Sequence, residues 1–147
     1  MNRPLALALI IAAAVPMGAQ NTTRFSAEAP IKNFKLPMYT VPDGYRTWLI
    51  RGTEALVRGA NDIDVSELTL TIFSGDAHEK IETMILSPSA HVAPENQTAS
   101  GNATIRVIND AYEASGTGWH FDHKAGTVSI DRHVKVVLHG ELKGFLK

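Results

Sequence analysis

The chain has no cysteine among its 147 residues, and this absence removes one common way of stabilising an exported domain. Without thiols there is no disulfide framework, so the fold must be held together by its own core. A domain of this size can bury roughly 65% of its unfolded surface, which is enough for such a core without a structural metal. We therefore expect a single domain.

An excess of either charge is also missing, because 14 lysines and arginines are balanced by 15 acidic residues. The basic residues are scattered, so nothing predicts a nucleic-acid surface. Catalytic signatures are missing as well: the chain has no Gly-x-Ser-x-Gly elbow, no phosphate-binding Walker loop and no His-Glu-x-x-His zinc motif. We expect no cofactor.

Only one long apolar run is present, from Leu5 to Val15, and the basic residue Arg3 precedes it. This pattern is typical of a secretory signal, which has a basic start and an apolar core of about 7–15 residues. We predict that residues 1–19 are a signal peptide ending near Ala19. A short membrane anchor is the alternative, although a spanning helix usually needs ~20 apolar residues. Export without cysteine favours a bacterial periplasm.

Helical periodicity is almost absent, and short alternating apolar segments separated by glycine or proline take its place. About eight such segments, at a spacing of ~10 residues, predict an all-β protein. We expect an antiparallel open β-roll, a jellyroll-like sandwich of short strands. The predicted organisation is a signal or anchor at 1–19, a linker or arm at 20–33 and the β-roll domain at 34–147.

Residues 45–51 predict a strand that ends at Gly52, while residues 53–58 fit either a short strand or a helical turn. In the segment 63–73, IDVSELTLTIF, the apolar residues change parity after the first two. A continuous strand there needs a bulge near Ser66-Glu67, because a shift by one residue moves side chains to the other face.

The most regular stretch is 116–138, which predicts a β-hairpin with one apolar face. Trp119 and Phe121 alternate with His120 and Asp122, which is the period of a strand with one wet side. A short turn with one glycine follows, and the alternation then restarts. The apolar face of this hairpin comprises Trp119, Phe121, Val128, Ile130, Val134 and Val136.

The sharpest catalytic alternative is a metal site formed by His120, Asp122 and a later histidine, either His133 or His139. Two histidines and a carboxylate ligate iron in non-haem oxygenases, which also use β-rolls. The alternation, however, places His120 and Asp122 on the outer face, and the later histidine follows sooner than in those enzymes. Solvated polar residues on the outside of a strand explain the pattern without a metal.

Gly116, Gly118, Trp119 and Asp122 are followed by a short turn and an alternating strand that contains Val-x-Val. This pattern resembles the repeat of the periplasmic lipopolysaccharide-transport bridge proteins, the OstA-like family of the LptA and LptC type. The chain looks LptC-like, and the likeness is better in its C-terminal part than in its first half. It departs from that type in its shorter apolar run and in its shorter length.

The resemblance implies a non-enzymatic, lipid-binding component of lipopolysaccharide export in the periplasm. Acyl chains would lie in an apolar trough between two sheets. The implied partners are lipopolysaccharide, a second β-roll bridge protein and an inner-membrane ABC transporter complex. The implied trough lining is Trp119, Phe121, Val128, Ile130, Val134 and Val136. The implied partner edge is Leu138, Leu142 and Phe145.

A secreted structural or adhesive β-sandwich with a closed, dry core is the alternative from another functional class. Trp119 and Phe121 would then be core residues and nothing more, which is the commoner role of such aromatics. Lipid that co-purifies with the protein would distinguish a trough from a closed core.

Overall fold

A computed structural model describes residues 29–140, in which seven strands form one antiparallel sheet with the order β1-β2-β3-β4-β5-β6-β7. The strands are β1 (Ile31–Tyr39), β2 (Arg46–Gly59), β3 (Asp62–Phe73), β4 (Ile81–Ala93), β5 (Thr98–Asn109), β6 (Tyr112–Asp122) and β7 (Thr127–Leu138). The predicted all-β, antiparallel class is confirmed. These seven strands have 9 to 14 residues each, and are longer than the short strands that we expected.

The strands are longer because they continue through positions at which the sequence predicts that a strand ends. Strand β2 passes through Gly52, so the predicted end there is wrong and residues 53–58 are strand. A Cβ atom at Gly52 would lie 2.3 Å from Val65 Cγ1 and 2.9 Å from the Ser66 oxygen. Glycine at this position therefore allows close approach of β3, and does not end the strand. The first strand begins at Ile31, inside the segment predicted as a linker.

The predicted change of face in β3 is confirmed, but the predicted bulge is wrong, because the register with β2 and β4 is the same on both sides of Glu67. Ile63 and Val65 are buried before it, and Leu68 and Leu70 are buried after it. Between them, Glu67 has a φ of 52° and is exposed, so the backbone itself reorients the strand. Similar breaks occur within other strands. Positive φ angles occur at Asn33, Gly118 and His133, and the pairing of β5 with its neighbours shifts near its centre.

These breaks divide the sheet into two parts, which we call half A and half B. Half A comprises residues 34–39, 46–51, 69–73, 81–86, 104–109, 112–116 and 134–138. Half B comprises residues 31–32, 54–59, 62–66, 89–93, 98–101, 119–122 and 127–131. Because the chain is antiparallel throughout, every strand crosses from one half to the other. The two layers are thus parts of one continuous sheet, whereas the sequence suggested two sheets.

The two halves face each other, and the core lies between them. The Trp48 ring in half A lies 6.1 Å from the Phe121 ring in half B, measured between centroids. The indole Nε1–H of Trp119, also in half B, donates a hydrogen bond of 3.3 Å to Ser87 Oγ, which lies between the two parts of β4. The largest fully buried side chains are Trp48, Ile50, Val65, Leu68, Leu70, Ile85, Val92, Ile105 and Val107. Burial of each contributes about 1.5–3 kcal/mol, so contact between the halves is the main apolar stabilisation of the roll.

Candidate lipid-binding cavity and sheet edge

Strand β6 places Trp119 and Phe121 inside the roll, as the alternation predicts. Each side chain is 2% exposed, while the intervening His120 faces solvent. The two aromatic residues pair with Ile130 and Val128 on β7, and both of these are half-buried against the core. The structure thus brings four of the six predicted lining residues together on the inner face of half B.

The remaining two predicted lining residues lie elsewhere. Val134 and Val136 are each 54% exposed, and they follow His133, whose φ of 55° marks the crossing of β7 into half A. The sequence pattern gives these valines the same face as Val128 and Ile130. The pairing agrees with this pattern, because Val136 lies opposite the buried Ala114 and residues opposite each other in an antiparallel pair share a face. These valines are exposed because this part of the edge strand is not covered.

A cavity of about 410 Å³ lies between the two halves near Phe121. Residues from six strands contribute to its wall, among them Thr47, Phe73, Val107, Tyr112, Phe121 and Val128. Of the predicted lining residues, Phe121 and Val128 therefore lie at this cavity. Reasoning from the sequence missed Phe73 and Tyr112, because their neighbours in the cavity come from distant parts of the chain.

Charged side chains lie at one border of this cavity. The Arg46 guanidinium lies 4.4 Å from the centre of the Phe73 ring, and it forms an ion pair of 3.2 Å with Glu79. The backbone N–H of Arg46, together with its side chain, lowers the pKa of Glu79 by hydrogen bonding to the carboxylate. The wall itself is mixed, since Thr47, Glu82 and Thr83 lie beside its apolar residues. Such a mixed wall with an ionic rim suits a ligand with one apolar and one polar end.

Strand β7 forms one border of the sheet, and its second part presents an exposed apolar surface. Val134, Val136, Val137 and Leu138 are all between 47% and 54% exposed. The outer side of such an edge strand carries backbone N–H and C=O groups that can pair with another strand. The predicted edge residue Leu138 lies here. Leu142 and Phe145 lie outside the described residues.

The family model described as "Lipopolysaccharide-assembly, LptC-related" matches residues 15–139, which is most of the chain. The chain belongs to this family. The predicted resemblance is therefore confirmed, and with it a role in lipopolysaccharide transport. Membership in the LptC-related family implies a periplasmic bridge component that interacts with lipopolysaccharide and with other transport proteins. A search of curated proteins finds no match.

No helix within residues 29–140 is long and apolar enough to cross a membrane. The predicted signal or anchor at 1–19 lies outside the described residues, so its role in this LptC-related chain stays a prediction.

The residues of the metal alternative, His120, Asp122 and a later histidine, are not brought together as a ligand set within the described part of the chain. The group of possible ligands found there is Asp62, Asp64 and His91, on the outer face of half B. Arg58 Nη2 lies 3.1 Å from an Asp62 oxygen and 2.5 Å from an Asp64 oxygen, and His91 Nδ1 lies 3.0 Å from Asp64. The hydrogen bond from Arg58, followed by that from His91, lowers the pKa of Asp64. These residues form an exposed ion-pair network, in which both carboxylates are already bonded to the arginine.

Proposed function

We propose that this LptC-related protein is a non-enzymatic carrier that holds acyl chains of lipopolysaccharide between half A and half B and passes them to a second β-roll along strand β7. One observation carries the proposal: β7 does two things at once. Its first part supplies Val128 to the cavity, and its second part is an exposed apolar edge. A lipid site and a docking edge on one strand suit a protein that hands lipid to a neighbour.

The walls of the cavity support the lipid half of the proposal. Phe73, Val107, Phe121 and Val128 give an apolar surface, and the Arg46–Glu79 pair lies at its border. Burial of a methylene group contributes about 0.8 kcal/mol, so even a short length of acyl chain gains several kcal/mol on entering. Sugars and phosphates would remain in water, where their hydrogen bonds to solvent are kept.

The exposed part of β7 supports the docking half. Strand addition to a free edge supplies backbone hydrogen bonds, and alternating side chains supply specificity. Val134, Val136 and Leu138 would then be covered by the partner roll. We further propose that Leu142 and Phe145 extend this edge, and that residues 1–19 direct export to the periplasm. The chain has no Walker motif, so energy for movement is proposed to come from an inner-membrane ABC transporter complex.

The test uses a photo-crosslinking residue at one of two adjacent positions on β7. Val128 is half-buried and lines the cavity, whereas Ser129 points outward and is exposed. We expect a crosslinker at 128 to capture lipopolysaccharide in cells, and one at 129 to capture none or far less. Equal capture at both positions would contradict an internal site. No capture at either position, in a folded protein, would favour the closed-core β-sandwich.

A further inference from the structure

The turn between β6 and β7, residues 123–126, is fixed to its surroundings by backbone hydrogen bonds. The N–H of His123 donates to the Gln97 oxygen at 3.0 Å, which ties this turn to the turn between β4 and β5. Within the turn, the N–H of Ala125 donates to Asp122 Oδ1 at 3.1 Å. The backbone of the turn is thus held in place from two sides, so a change of rotamer at His123 would not require the turn to move.

The His123 ring joins the two halves of the roll. It stacks on Trp48 of half A with a centroid distance of 5.7 Å and an interplanar angle of 2°. It also lies 6.1 Å from Phe121 of half B, at an angle of 52°. Three rings from β2, β6 and the β6–β7 turn therefore meet, and only the His123 ring is not carried by a strand.

The same ring lies in the wall of the cavity that Phe121 and Val128 line. His123 is half-buried, in contrast to the fully buried Trp48 behind it, so the imidazole stands between the cavity and water. We propose that His123 is the residue that controls access to the cavity: its ring closes the gap between the halves by stacking on Trp48, and an entering acyl chain displaces it. This inference rests on the proposed lipid-binding function.

A residue in this position can open the cavity at low cost. Rotation of one side chain in a turn leaves the strand pairing intact, whereas movement of Phe121 or Trp48 would disrupt the core. An aromatic pair of this kind changes an equilibrium by about 2- to 12-fold, which favours the closed form without locking it. The incoming acyl chain would replace the lost contact with Trp48 by contacts of its own.

The chemistry of imidazole adds a dependence on pH. Burial lowers the pKa of His123, and the nearby Asp122 opposes this only in part. Other titratable groups at the cavity are Glu82 of β4 and Tyr112 of β6, while Arg46 of β2 is already paired with Glu79. Because the pKa is lower in the closed form, protonation favours the open form. The closed form should be fully stable above the ordinary value of 6.5 and should weaken as the pH falls below it.

The experiment measures access in two ways, with and without lipid. The first readout is the rate at which a crosslinker at position 128 captures lipopolysaccharide, followed between pH 5.5 and 7.5. The second is acrylamide quenching of tryptophan fluorescence in lipid-free protein. Its change between variants reports whether Trp48 is covered, because the other tryptophan, Trp119, is buried and gives the same background in each variant. The variants are His123→Ala, His123→Phe and, as a control with an exposed histidine on the same hairpin, His120→Ala.

We expect His123→Ala to raise the capture rate at pH 7.5 by about 2- to 12-fold and to increase quenching. His123→Phe should restore the closed ring but abolish the rise in capture at low pH, and His120→Ala should match the wild type. If His123→Ala leaves the capture rate, the quenching and the pH profile unchanged, the inference is overturned. If quenching responds but no variant captures lipopolysaccharide, His123 still closes the cavity and the proposed lipid function fails instead.

Discussion

The two parts of strand β7 differ in a way that composition does not explain. Residues 127–131 include only two large apolar side chains, Val128 and Ile130, and both are half-buried against the core. Residues 134–138 include four, and all four are about half exposed. The first part covers the interior of the roll, whereas the second lies at the border of half A. Position in the sheet, more than hydrophobicity, decides burial here, and the exposed apolar part is where we propose that a partner docks.

The largest difference in unfolding free energy is expected between truncation of a side chain that packs beside the first part of β7 and truncation of one in its second part. Phe121→Ala removes a side chain that pairs with the first part of β7 and contacts Trp48, so it should cost about 3–5 kcal/mol of unfolding free energy. Val136→Ala removes an exposed side chain and should change stability by less than about 0.5 kcal/mol. Urea unfolding of both variants measures the contrast. A loss below about 1 kcal/mol for Phe121→Ala would show that this side chain contributes little to the packing between the halves.

The junction between the two parts of β7 depends on a close approach at Gly116. A Cβ atom there would lie 2.3 Å from Ile130 Cγ2 and 2.9 Å from the Arg132 oxygen. Gly116→Ala should therefore push β7 away from β6 and cost about 1–3 kcal/mol, as overpacking usually does. Gly59→Ala is the matched control, because nothing lies within 4 Å of the added atom. Equal unfolding midpoints for the two variants would show that β7 adapts without strain.

The inner face of the β6–β7 hairpin could be predicted from sequence, because alternation is a property of neighbouring residues. Trp119, Phe121, Val128 and Ile130 follow it directly. The switch of face at Glu67 was also visible, since it shifts the parity of the apolar residues. At His133 the register with β6 shifts by one residue, and the even residues keep their face, since Val136 lies opposite the buried Ala114. The pattern predicts this face but not the exposure of Val134 and Val136.

The cavity residues could not be predicted in the same way. Phe73, Tyr112 and His123 meet only because the sheet folds back on itself, which brings β3, β6 and the β6–β7 turn to one place. No local pattern encodes which residues lie opposite each other across the two halves. The exposure of β7 could not be predicted either, because the sequence pattern of an edge strand does not differ from that of a strand within the sheet.

Docking can be tested separately from folding on the second part of β7. Val136→Lys places a charge where the proposed partner roll would lie, and lysine is a common protection of free strand edges. We expect the unfolding free energy to change by less than about 0.5 kcal/mol and the affinity for the partner β-roll to fall at least about tenfold, or ~1.4 kcal/mol. Isothermal titration with the purified bridge partner measures this. Lys35→Ala on β1, at the other edge, is the control, and unchanged affinity of Val136→Lys would place the joint elsewhere.

The smallest effect on stability is expected for the charged side chains on the outer face of half B. They are about as exposed as the apolar side chains in the second part of β7. Asp64 is 49% exposed and bonded to Arg58 and His91. Because these bonds lower its pKa below the ordinary 3.8, the stabilisation is present above that pH and is lost as the pH falls through the folded value. Solvent screens the pair, so Asp64→Asn should cost less than about 1 kcal/mol at neutral pH, and the difference from wild type should shrink below pH 3.8.

Asp110→Asn, whose carboxylate is 89% exposed and 3.7 Å from Lys80 Nζ, is the control. Urea unfolding measures the cost. A loss above about 2 kcal/mol for Asp64→Asn would mean that this network holds half B together. The exposed fraction of a side chain would then be a poor guide to its contribution to stability, on β7 as well.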